Sequence, residues 1–140
     1  MMRVLLDVNV IISAIIAPKG TPRRVLEAWQ HGRFLLIISE GIIAQVEEKL
    51  RCPRIGGAYG IGDEDIIWVT ALLRTQADVI FVGPECLPGA MADPEDDYVL
   101  ATGVLGHADC LVTGDRGLLA LEEHQGMRPL TPTARLALLG

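Results

Sequence analysis

The chain is poor in the residues that staple small proteins or hold zinc. Its three cysteines, Cys52, Cys86 and Cys110, lie far apart and form no C-x-x-C pair. Neither a disulfide framework nor a zinc knuckle is indicated, and a reducing, cytoplasmic setting fits. The three histidines, His31, His107 and His124, are equally scattered; each reads as a surface or helix-end residue, and none is assigned chemistry. Positive charge is in deficit, with 12 Lys and Arg against 18 Asp and Glu and a net charge of −6. That balance excludes a protein that coats nucleic acid by bulk electrostatics. It leaves room for a nuclease, because acids gathered in one site are offset by bound metal. Lys19, Arg23, Arg24, Lys49, Arg51, Arg54 and Arg116 are then available as a local basic strip, or simply as solvated surface. No apolar run is long enough to cross a bilayer: Val4 to Ala17 is interrupted by Asp7 and Asn9 and falls short of the roughly 20 residues required. P-loop, G-x-G-x-x-G and Ser-His-Asp patterns are missing, as are internal repeats and low-complexity linkers. With 140 residues, half of them apolar, one core and one domain, 1–140, are expected.

Apolar runs and breakers alternate regularly. Val4-Leu5-Leu6 reads as a strand buried on both faces, followed by a short helical piece and a loop at Pro18, Gly20 and Pro22. Thr21 is the expected N-cap of the next helix, with Pro22 at its first position and Val25, Leu26 and Trp29 as its stripe. Phe34 to Ile38 is the second strand, and Ser39 caps a helix carrying Ile42, Ile43, Val46 and Leu50 that Cys52-Pro53 stops. Glycines at 56, 57, 60 and 62 precede a helix from Asp63, and Val79 to Val82 is the third strand. A loop from Gly83 to Met91 leads to a helix from Asp93, a strand at Cys110 to Val112, a helix through Leu118 to Leu121, an edge strand near Arg128 to Leu130 and a helix from Thr133 to Leu139. Strands separated by helices imply right-handed crossovers, so the expected fold is α/β, with a mainly parallel sheet between two helical layers. Ligands of such sheets bind beyond the carboxyl ends of the strands.

That edge is where the acids fall. Asp7 directly follows the first strand, with Asn9 two residues on, and Asp115 in Val112-Thr113-Gly114-Asp115 follows another buried strand in the same way. Taken alone, either is explained as a helix cap. Asp93-Pro94-Glu95-Asp96-Asp97 opens a helix, where capping and the macrodipole account for one acid and leave the others unexplained. Two unit charges about 4 Å apart repel by roughly 4 kcal/mol at an effective dielectric of about 20, so several carboxylates in one place call for a cation. Oxygen ligands without Cys or His point to Mg²⁺ or Mn²⁺, and phosphodiester hydrolysis is the chemistry such ions favour.

The order LLDVNVIISA, then Asp-Pro-acid-Asp-Asp with YVLA, then ADCLVTGDRGLL resembles the PIN domain, a family of metal-dependent ribonucleases that includes VapC-like toxins of toxin–antitoxin pairs. The likeness spans nearly the whole chain and implies a three-layer α/β/α, PIN-like fold. It also implies a Mg²⁺- or Mn²⁺-dependent ribonuclease acting on RNA, an antitoxin partner, a homodimer and a cytoplasmic location. Carried over residue by residue, it makes Asp7 the first metal-site acid, supported by Asn9; Asp97 the third; and Asp115 the fourth, with Thr113 beside it. Asp93 matches the family's frequent extra acid. The departure is at the second acid, where the family's usual glutamate corresponds to Gln45. Glu47 and Glu48 follow, and Glu48, one turn on, is the better substitute, although the apolar stripe of its helix centres on nearly the opposite side. Two alternatives stay open. One is a catalytically weak or inactive PIN scaffold that binds RNA or protein, which Gln45 makes credible. The other is a haloacid dehalogenase-like phosphatase, suggested by Asp7-Val8-Asn9 after a strand but lacking that family's second aspartate and a suitable lysine. Trp29 and Trp68 are available for a dimer contact or for core packing.

Overall fold

The computed structural model describes residues 1–83 and 89–139. The chain runs β1 (Arg3–Leu6), α1 (Val8–Ile16), α2 (Thr21–Gln30), β2 (Leu35–Ser39), α3 (Glu40–Arg51), α4 (Asp63–Gln76), β3 (Asp78–Ile80), α5 (Pro94–Leu105), β4 (Cys110–Val112), α6 (Arg116–Leu119), β5 (Arg128–Leu130) and α7 (Pro132–Leu139), with a 3-10 turn at Gly57–Tyr59 before α4. The strands form one sheet in the order β3-β2-β1-β4-β5, and every pairing is parallel. Val4, Leu5, Leu6, Ile37, Ile38, Leu111 and Val112 are all fully buried, as a sheet covered on both faces requires.

From β1 the chain steps outward to β2 and β3, then returns to β4 on the other flank of β1 and continues to β5. Right-handed crossovers therefore put the helices after β1 and β2 on one face and those after β3 and β4 on the other. The packing agrees, because α1 touches α2 and α3, α3 touches α4, and α5 lies against β1 and β2. The reversal of strand order between β1 and β4 leaves a crevice at their carboxyl ends, the place where open α/β sheets bind ligands. On the α5 side the approach is close: a Cβ on Gly106 would run into Ile37 and Ile80, and one on Gly103 into Met127.

Several boundaries differ from those expected. Gly20, not Thr21, is the N-cap of α2, and no side chain bonds there; Pro22 supplies the preset φ that starts the helix. α4 does begin at Asp63 as expected, with the Gly62 N–H just ahead of it donating to the Asp65 carboxylate. β3 covers Asp78–Ile80, and Phe81 leaves the sheet for solvent. Of the loop expected from Gly83 to Met91, residues 84–88, including Cys86, lie outside the described residues. Trp29 is core, whereas Trp68 is 61% exposed. Among the described residues, no helix is long and apolar enough to cross a membrane.

Candidate active site

Asp7 leaves β1 as the N-cap of α1, its Oδ1 accepting from the Val8 N–H at 2.8 Å. Its Oδ2 accepts from the Thr113 hydroxyl at 2.7 Å. Parallel pairing of Leu6 with Val112 makes this contact: one residue beyond the pair, Asp7 and Thr113 face each other across the strand ends. Thr113 Oγ1 also accepts from the Asp115 N–H at 3.0 Å, and Asp115 caps α6 by accepting from Leu118. A buried hydroxyl thus joins the first acid to the loop that carries the last. Asp7 is buried, and that burial is the main reason its carboxyl is pushed above the ordinary range, with the Asp115 charge adding to it; the Thr113 and Val8 hydrogen bonds and the Lys49 charge pull the other way. The Asp7 N–H itself donates to the Val112 carbonyl oxygen at 2.9 Å.

A cleft of about 110 Å³ opens there, lined by Asp7, Val8, Asn9, Gln45, Lys49, Asp93, Glu95, Asp96, Val99 and Asp115. A larger cavity of about 530 Å³ lies at the amino ends of the strands, between Met1, Trp29, Phe34, Leu35 and Leu72. It carries no acid or base, so size is a poor guide here and the smaller cleft is where chemistry is available.

The third acid requires a correction. Asp97 does not line the cleft. Its buried carboxylate accepts from the N–H groups of Gly89, Ala90 and Met91, at 2.8, 2.9 and 3.1 Å, and so ties the incoming loop to the first turn of α5. Asp96, one residue earlier, lines the cleft instead. A step of one residue is about 100° on a helix, enough to exchange the cleft for the N–H groups of the incoming loop. The Asp96 carboxyl is raised to about 6, first by burial and then by the charges of Asp115, Asp93, Asp7 and Glu95. Asp93 lines the cleft while capping α5 through the Glu95 N–H. The adjacent acids Asp96 and Asp97 look equivalent in sequence; only the path of residues 89–91 separates them.

The α3 wall also differs from expectation. Gln45 lines the cleft, and its Oε1 is buried without a hydrogen-bond partner. Glu48 is exposed and does not line the cleft, so it does not take the vacant acid's place. Glu47 pairs with Arg51 on the outer face. The α3 residue that does turn inward one turn after Gln45 is Lys49, whose Nζ donates to Asn9 Oδ1 at 3.1 Å. The rest of the anticipated basic strip is partly spent on structure: Arg23 donates to the Ala14 and Ile15 carbonyls, and Arg51 pairs with Asp63 as well as Glu47.

The residues suit a hard divalent ion in donor chemistry. Burial and the charges of Asp115, Asp93, Asp7 and Glu95 raise Asp96, and the orphaned Gln45 oxygen has nothing to accept from. The enclosure is open as it stands: among the described residues, no three acidic, histidine or cysteine side chains are placed to hold a metal ion together.

Strand order, switch-point crevice and clustered acids together define a parallel α/β protein with an acidic cleft at one sheet edge. A family model described as PIN domain matches residues 3–117. The chain belongs to the PIN domain family, whose members are generally nucleases. The uncharacterized protein MJ1680 of Methanocaldococcus jannaschii is 23% identical over 121 residues, covering 86% of this chain and 76% of that protein. The fold is similar to a chain in the crystal structure of VapBC2 from Rickettsia felis bound to a DNA fragment from their promoter. The TM-score is 0.61 at 15% identity, over 93% of this chain and 98% of that one. The family match points away from the phosphatase alternative.

Proposed function

We propose that this protein is a metal-dependent endoribonuclease, the toxin of a toxin–antitoxin pair, in which Asp7, Asp96 and Asp115 hold Mg²⁺ or Mn²⁺ with help from Asp93 and the Gln45 amide oxygen. The observation that carries the reading is the acid cleft at the β1–β4 switch point, where Asp96 is raised to about 6 by burial and four neighbouring acids. A carboxylate raised by burial and by like charges in a cleft is suited to a cation ligand. When bound, a divalent ion polarises a phosphoryl oxygen and activates water. The chain's own part is positioning. Thr113 holds Asp7 in one rotamer and fixes the Asp115 backbone, Asp97 anchors the loop that presents Asp93 and α5, and Asn9 fixes the Lys49 ammonium at the cleft.

RNA is the substrate on this reading, and the VapBC2 likeness supports a protein partner that restrains activity. The homodimer belongs to the same reading, with exposed Trp68 available to it. A catalytically weak scaffold that binds RNA or protein is the second reading, favoured by Gln45 and the open enclosure. Pure protein incubated with mixed RNAs separates the two. Cleavage with Mn²⁺ that stops on adding chelator, and falls at least tenfold in Asp96→Asn, roughly 1.4 kcal/mol in the barrier, supports the nuclease. No metal-dependent cleavage by wild type leaves the scaffold.

A further inference from the structure

Among the described residues, the cleft holds one cation that the proposed metal ligands do not account for. Its lining includes five acids, Asp7, Asp93, Glu95, Asp96 and Asp115, and a single base, Lys49. Lys49 is four residues after Gln45, about 40° around the helix, so the two stand one above the other on the cleft-facing side of α3. The neighbouring charges of α3 are turned elsewhere: Glu48 to solvent and Glu47 to Arg51. Lys49 is half-buried and held inward by Asn9. An acid on the α3 wall would add a negative charge; here the wall supplies a neutral amide and a positive charge.

We propose that Lys49 is a substrate-binding residue that serves as the fixed cation of this cleft, standing where a second metal ion would otherwise be needed and receiving a non-bridging phosphate oxygen of the RNA. This rests on the nuclease reading. An ammonium beside the acids lowers their demand for divalent ions by charge neutralisation, and offers a phosphate three rotatable donors. The cleft then holds one divalent ion per chain, with the ammonium alongside it.

The test combines Mn²⁺ titration with binding of a 2′-O-methyl RNA that resists cleavage. Wild type is expected to bind one Mn²⁺ per chain. Lys49→Met is expected to bind that ion three- to tenfold more tightly and the RNA at least fivefold more weakly, while Lys49→Arg keeps RNA affinity within twofold. Two Mn²⁺ per chain in wild type, or Lys49→Met matching wild type in both measurements, overturns the proposal. If no form binds Mn²⁺, the metal reading fails, and Lys49 is judged by melting in chelator. Loss of melting temperature from Lys49→Met that shrinks in an Asp96→Asn background supports a cation paired with these acids; an equal loss in both backgrounds overturns it.

Discussion

Asp96 and Asp97 show how much one residue decides. Both are acids in the first turn of α5, yet one faces a cleft full of like charges and the other satisfies three backbone donors. Their substitutions should separate. Asp97→Ala leaves three N–H groups without their acceptor and should cost about 2–3 kcal/mol of stability, measurable by urea unfolding in chelator. Asp96→Ala should leave stability unchanged or raise it, because it relieves repulsion. Equal destabilisation by the two would mean that Asp96 also has a structural role. The raised Asp96 carboxyl has a pH consequence too. The folded protein keeps a proton that the unfolded chain releases near the ordinary carboxyl value of 3.8. Between about 4 and 6 the folded state therefore binds more protons, and the contribution of this group to stability falls as pH rises through that window. Chelated wild type, compared with Asp96→Asn across pH 4 to 7.5, should show this fall as a difference that the variant lacks. A constant difference between the two would remove the motive for a cation at Asp96.

At the scale of elements, α3 carries Gln45, where the sequence resemblance implies a glutamate. Gln45 keeps an oxygen on the cleft wall and gives up a charge, and its orphaned Oε1 is suited to a metal or an ammonium donor. Gln45→Glu should bind Mn²⁺ at least tenfold more tightly and raise cleavage, with calorimetry and an RNA time course as the readouts; unchanged affinity would mean that residue 45 lies outside the ion's reach. Most elements were legible in the sequence because burial on both sheet faces leaves an unbroken apolar signal, as in Val4-Leu5-Leu6 and Cys110-Leu111-Val112. Asp7, Asp93 and Asp115 were legible for a related reason, since each directly follows or opens such an element. The rest was hidden where contact depends on tertiary path. Nothing local distinguishes Asp96 from Asp97 until residues 89–91 come back to be bonded. Glu48 looked like the nearest acid, but the inward-facing position proved to be 49. The N-cap of α2 slipped to Gly20 because Pro22 suits the first turn in either register.

For the whole molecule, a net charge of −6 and a cleft lined by five acids and one base make the metal-free fold carry a repulsion that a divalent ion removes. Ion binding to the folded state alone adds stability as RT ln(1 + [L]/Kd), about 2.7 kcal/mol at a hundredfold excess over the dissociation constant. For a domain of this size each kcal/mol moves the melting temperature by roughly 2–4 °C or a little more, so saturating Mn²⁺ should raise it by about 5–10 °C. The specificity of the response locates the ion. Asp7→Asn, Asp96→Asn and Asp115→Asn should each lose most of the shift, because each removes one of the three carboxylates proposed to hold the ion. Asp97→Asn should begin from a lower melting temperature and still gain nearly the full shift, since its carboxylate is engaged by the loop. Glu48→Gln, on the solvent face of α3, should match wild type throughout. A melting temperature that does not move at millimolar Mn²⁺ would sink the metal reading, and a shift lost in Asp97→Asn but kept in Asp96→Asn would return the third ligand to Asp97.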